Sequence, residues 1–80
     1  MQSSEIMPDM PVVCSQGGKF AEVDHMEGEN MIKLKKDSAG THHYIPLSWA
    51  SSIENGQLKV KIPGEQAMQQ WSDSPNMPVS

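Results

Sequence analysis

The sequence predicts an all-β domain of about six short, strongly bent antiparallel strands with one short C-terminal helix. Three observations predict it. Asn55-Gly56 separates Ser51-Ser52-Ile53-Glu54 from Gln57-Leu58-Lys59-Val60-Lys61-Ile62, and this dipeptide favours the two-residue type I′ hairpin turn because both positions need positive φ. Met31-Ile32-Lys33-Leu34-Lys35-Lys36 alternates apolar and charged side chains, the period of a half-buried strand. Gly17-Gly18 and Pro63-Gly64 punctuate the chain, and the segments between the turn signals are strand-sized.

In chain order, residues 1–11 mix Ser, Glu, Pro and Met without a period and read as a mobile lead-in. Val12-Val13-Cys14 is a short β-prone run ended by the Gly17-Gly18 reversal. From Lys19 to Glu27 the apolar residues Phe20, Val23 and Met26 stand three apart, a helical spacing. The flanking glycines and the clear strand after them make a bulged strand the cheaper reading, with a helix as the alternative. Ile32 and Leu34 then face inward, while Lys33 and Lys35 face water. After the Asp37-Ser38-Ala39-Gly40 turn, Thr41 to Ile45 resumes a strand, with His43, Ile45 and Leu47 on one face and His42 and Tyr44 on the other. Pro46 limits the pairing, and Leu47-Ser48-Trp49 turns a corner.

In the Asn55-Gly56 hairpin, Glu54 faces Gln57 and Ile53 faces Leu58, so Ile53, Leu58, Val60 and Ile62 share the buried side. Glu65 to Trp71 is a short helix, too short to stand alone in water, expected to dock through Met68 and Trp71. Residues 12–72 thus form the domain, and the Pro- and Ser-rich residues 73–80 read as a disordered tail.

Length and composition bound the function. The 80 residues hold one domain at most. The formal net charge is −4 and every basic residue is lysine, so the guanidinium fork that reads phosphate and guanine is missing, which argues against nucleic acid. Cys14 is the single cysteine, which excludes an intrachain disulfide and a Cys-x-x-Cys site and suits a reducing cytoplasm. The start carries neither a basic n-region nor an apolar h-region, and no run approaches a membrane span.

The order of these elements resembles a PRC-barrel. The resemblance rests on the strand ending in Val23-Asp24-His25, the Ile32-Lys33-Leu34-Lys35 strand, the run His42-His43-Tyr44-Ile45-Pro46-Leu47 with Trp49, the Asn55-Gly56 hairpin and the closing segment to Trp71. More narrowly, the chain is similar to a group of small uncharacterised bacterial proteins of that kind. The resemblance implies a small bent barrel without catalysis. It also implies action through protein contacts, as in the related barrels of the photosynthetic reaction-centre H subunit and the ribosome-maturation factor.

The candidate chemistry has an alternative structural reading at each point. His25 and His43 are the weak metal candidates, with His42, Cys14 and Asp24 as further donors. His42 and His43, adjacent on a strand, point to opposite faces and do not chelate one ion, so the expectation is no metal and no cofactor. Cys14 with a histidine has the makings of a nucleophile and base, but a lone cysteine in an apolar strand is usually core, and no enzyme activity is expected. Lys33, Lys35, Lys36, Lys59 and Lys61, if on adjacent strands, form one positive patch opposite the acidic Glu22, Asp24, Glu27 and Glu29. Trp49 is assigned to the core or barrel end, Trp71 to the helix contact and Tyr44 to the surface beside His42.

The candidate binding surface is therefore His42, Tyr44, Lys33, Lys35, Lys59 and Lys61. The expected function is a non-catalytic protein-binding or adaptor module, with a homodimer as one form of partnership. The alternatives are a nucleic-acid- or ribosome-associated barrel and a weak His-dependent metal binder.

Overall fold

Six strands and one helix account for the computed structural model, which describes residues 5–73. They are β1 (Pro11–Val13), β2 (Lys19–Glu27), β3 (Met31–Leu34), β4 (Tyr44–Pro46), β5 (Ala50–Glu54), β6 (Gln57–Val60) and α1 (Gly64–Gln70). A single 3-10 turn, Leu47–Trp49, joins β4 to β5. All six strands belong to one sheet in the order β4-β3-β2-β1-β6-β5.

The bulged-strand reading of Lys19–Glu27 holds, and the structure gives its reason. Asp24 is an extra residue between Val23, opposite Leu34, and His25, opposite Lys33. Phe20 is likewise extra between Ala21, opposite Val12, and Lys19, opposite Val13. Each bulge flips the facing of the residues beyond it. Phe20, Ala21, Val23 and Met26 therefore all pack on the core despite spacings that no flat strand allows. The first half of β2 pairs with β1 and the second half with β3, so this strand joins the two halves of the sheet.

The Asn55-Gly56 hairpin forms as expected, with φ of 54° and 74° at the two loop residues. Its register is Glu54 opposite Gln57 and Ile53 opposite Leu58. Leu58 and Val60 are fully buried, while Ile53 and Ile62 pack from the periphery.

Four expectations change. The sheet is mixed: β1 pairs in parallel with β6, Val12 opposite Leu58, because the Leu47–Trp49 corner passes from β4 to β5 without the hairpin reversal that would have made β1 and β6 antiparallel. Among the described residues β4 and β5 are the two ends of the sheet and are not paired with each other, so it is open rather than a closed barrel. The described part of the lead-in, which holds no strand before Pro11, contributes to the core, since Ile6 is 6% exposed and Met10 accepts a 2.9 Å bond from the Val23 amide. Finally, Met68 does not dock α1; it is 46% exposed, and the helix presents Ala67 to the core instead. Gly64, Ala67 and Trp71, three and four residues apart, form the inward side of the helix and its exit, which leaves Met68 facing out. The tail reading for 74–80 and the lead-in reading for 1–4 lie outside the described residues.

The largest fully buried side chains are Val12, Val23, Ile32, Leu34, Ile45, Leu58 and Val60, at least one from each strand except β5. Leu58 sits where the parallel and antiparallel pairings of β6 meet. Leu58→Ala is expected to cost about 2–5 kcal/mol, the range for truncating a buried leucine, read as a lower urea midpoint at unchanged m-value.

Candidate functional site

The loop after β3 is built by one carboxylate. Asp37 Oδ1 accepts the amides of Ala39 at 2.9 Å and Thr41 at 3.0 Å, an Asx arrangement closed by the Asp37 amide bonded to the Thr41 carbonyl at 3.0 Å. Gly40, at φ 83°, supplies the left-handed residue that the reversal needs. The second oxygen, Oδ2, is left free to accept a bond from His43 Nε2 at 2.6 Å.

His43 is the one buried polar or charged side chain among the described residues, 8% exposed. Its ring stacks on Trp71, centroids 3.8 Å apart and planes within 7°, and Trp71 tilts against Phe20 at 6.3 Å. A carboxylate can only accept, so Nε2 carries a proton toward Asp37. Nδ1 lies 3.2 Å from Asp73 Oδ1, within ion-pair reach, but makes no hydrogen bond. Beside it, Ser72 exchanges both backbone bonds with Tyr44, at 2.7 and 3.0 Å, and covers the outer edge of β4. His43 thus clamps the Trp71–Asp73 segment to the sheet through ring stacking and a charged neighbour on each side.

The bond from His43, with the amide of Thr41 behind it, holds the Asp37 carboxyl below its ordinary value. The other carboxyl and ammonium shifts come chiefly from single partners at exposed or half-exposed positions. His25 first lowers Asp24, Lys19 lowers Glu22, and Asp9 raises Lys35, to which it is ion-paired.

The predicted site residues do not converge on one surface. Tyr44 is 9% exposed rather than a surface anchor, because the Trp71–Asp73 segment pairs over its edge. His42 is half-buried and bonds the Leu34 carbonyl through Nδ1 at 2.8 Å. Lys33 and Lys35 belong to β3 and its end, Lys59 and Lys61 to β6 and its end, with β2 and β1 between, so the single positive patch does not form by strand adjacency. His25 neighbours Asp24 and Glu27, both at 3.3 Å, whereas His43 neighbours Asp37 and Asp73, so the two metal candidates have separate partners. No group of three or more His, Cys, Asp or Glu side chains is placed to hold a metal ion among the described residues.

Cys14 is 7% exposed. The backbone N–H of Gln16 first, then those of Gly18 and Gly64, hold its thiol below the ordinary value against the burial that raises it. The recorded hydrogen bonds of the histidines go to carboxylates or a backbone carbonyl, none to Cys14. Sequence reasoning missed Asp37 and Asp73. Asp37 was legible as a turn residue, but its second oxygen facing His43 depends on how the loop folds back.

Fold and site together define a small, mostly-β domain with one short helix and a histidine clamp on its C-terminal segment. Residues 6–68 match the family described as an uncharacterised protein conserved in bacteria (DUF2171), and the chain belongs to that family. No curated protein and no solved structure matches it. No helix among the described residues is long and apolar enough to cross a membrane.

This geometry has two measurable outcomes. A carboxyl with a depressed native pKa stabilises above its ordinary value, 3.8 for Asp37, and loses that contribution as pH falls through the lower native value. Asp37→Asn should therefore be less stable than the parent at pH 7 in urea unfolding, and the part of that difference due to charge should fade below pH 3.8. For Cys14, access outweighs thiolate character. Labelling by a thiol-reactive disulfide at pH 7 should be far slower in the native protein than in urea.

Proposed function

We propose that the domain is a non-catalytic protein-binding module that takes an extended, acidic protein segment along the free edge of β5, self-association through the same edge included. The observation that carries this reading is the asymmetry of the sheet ends. β4 is covered by Ser72, whereas β5 has β6 on one side and, among the described residues, no strand on the other.

The backbone of that edge is suited to pairing. In a two-residue hairpin the residues flanking the loop, Glu54 and Gln57, exchange hydrogen bonds, so alternation turns the N–H and C=O of Ile53 outward. Ser51 is a bulge residue between Ala50, opposite Val60, and Ser52, opposite Lys59, so the regular part of the edge is Ser52-Ile53-Glu54, which no proline or lysine guards. Lys59 lies opposite Ser52 with Lys61 two residues on, while Leu58 and Val60 turn inward, so cations lie one strand in from the edge and favour an acidic partner segment. The PRC-barrel likeness agrees with a contact role but remains an analogy of fold. A lone cysteine agrees with a reducing cytoplasm as the setting.

A nucleic-acid reading draws less support, since acidic β2 stands between the two lysine groups and Lys19 and Lys35 are already ion-paired. Partner capture with the tagged chain, alongside sedimentation of the free chain, tests the edge. Ser51 is exposed, so Ser51→Lys should leave the urea midpoint nearly unchanged. It should weaken capture or self-association about tenfold, a loss of about 1.4 kcal/mol, while His42→Ala retains it. Retention of every partner and oligomer by Ser51→Lys would sink the reading.

A further inference from the structure

At the opposite end of the sheet, where β2 begins and β3 ends, the chain leaves a cavity of 280 Å³. We propose that it is a binding site for a small planar monoanion, an aromatic carboxylate in chemical class. This goes beyond the docking edge on β5, which shares no residue with it.

The apolar part comes from the walls. Phe20 and Trp71 line the cavity with rings tilted 40° to each other, and Leu34 is fully buried behind them. Trp71 packs against the core yet stays half-exposed, and Ala21 offers only a methyl group between the strands, so protein atoms do not fill the space beside the indole. The volume lies just below the ~300 Å³ at which pockets for drug-sized ligands begin, so the occupant is a small ring system. His43 belongs to the same wall, with its ring stacked on Trp71 and its Nδ1 turned to Asp73 at 3.2 Å.

The charge of the occupant is set by accounting for each ionic group. Lys19 is paired with Glu22, and Lys35 with Asp9. Asp37 is satisfied by His43 and two backbone amides. That leaves Lys36, the one cation of the lining without a carboxylate partner among the described residues. One unpaired cation beside aromatic walls selects one negative charge on a flat apolar body. A polyanion would have to displace existing pairs, and a neutral ring would leave the ammonium unused.

The test is a titration of the ¹⁵N-labelled chain with 2-naphthoate, its neutral isostere 2-naphthalenemethanol, and inorganic phosphate as charge without a ring. The expected result is a saturable shift of the Trp71 indole N–H and the Lys36 amide with naphthoate, and weaker binding of the other two. Lys36 is exposed, so Lys36→Gln should fold as the parent does and bind naphthoate about two- to fivefold more weakly, the range of an exposed ion pair. The proposal is overturned by an absence of saturation, by equal binding of the neutral isostere, or by unchanged affinity in Lys36→Gln. None of these outcomes bears on partner capture at β5.

Discussion

The structure depends on the doubly bulged strand β2. A strand of nine residues with strict alternation would bury one set of side chains on one flat face and pair along its length with the same neighbours. Extra residues at Phe20 and Asp24 instead reset the facing twice and bend the strand, so that β1 takes its first half and β3 its second. Val23, with no exposure, sits at the pivot opposite Leu34. Straightening β2 would turn either Ala21 or Met26 to water and separate the two hairpins it now holds over one core.

Around that frame the chain closes its ends by different means. At one end Trp71, Ser72 and Asp73 lie over β4, held by ring stacking on His43 and two backbone bonds to Tyr44. The clamp reaches from Asp73 through His43 to the Asp37 loop, so the turn after β3 and the exit from α1 depend on one imidazole. The corner Leu47–Trp49 is fixed by backbone bonds to both halves, Leu47 to the Asn30 carbonyl at 2.7 Å and Lys61 to the Trp49 carbonyl at 2.9 Å.

Local chemistry made much of this readable from sequence. The Asn55-Gly56 hairpin announces itself because two consecutive positive φ angles need those residues, and the Ile32/Leu34 alternation reflects a strand buried on one side. The period-three spacing of Phe20, Val23 and Met26 was readable as a bulge because the flanking glycines and the clear strand after them made it a cheaper reading than a helix. The unreadable features depend on contacts distant in sequence. Tyr44 looked exposed because alternation placed it opposite Ile45, and only the returning Ser72 buries it. The lysines looked contiguous because nothing local says that β1 and β2 lie between β3 and β6. The partner of His43 was hidden for the same reason, since Asp37 had already been assigned to its turn.

The Ser72 bridge sets how many neighbours the sheet can accept. A sheet with two open ends can add copies at both and grow without limit, as fibres do. With β4 occupied by the chain's own last described residues, growth has a single attachment point among the described strands. Pairing at β5 therefore consumes that point, and an edge-to-edge assembly stops at two sheets instead of propagating.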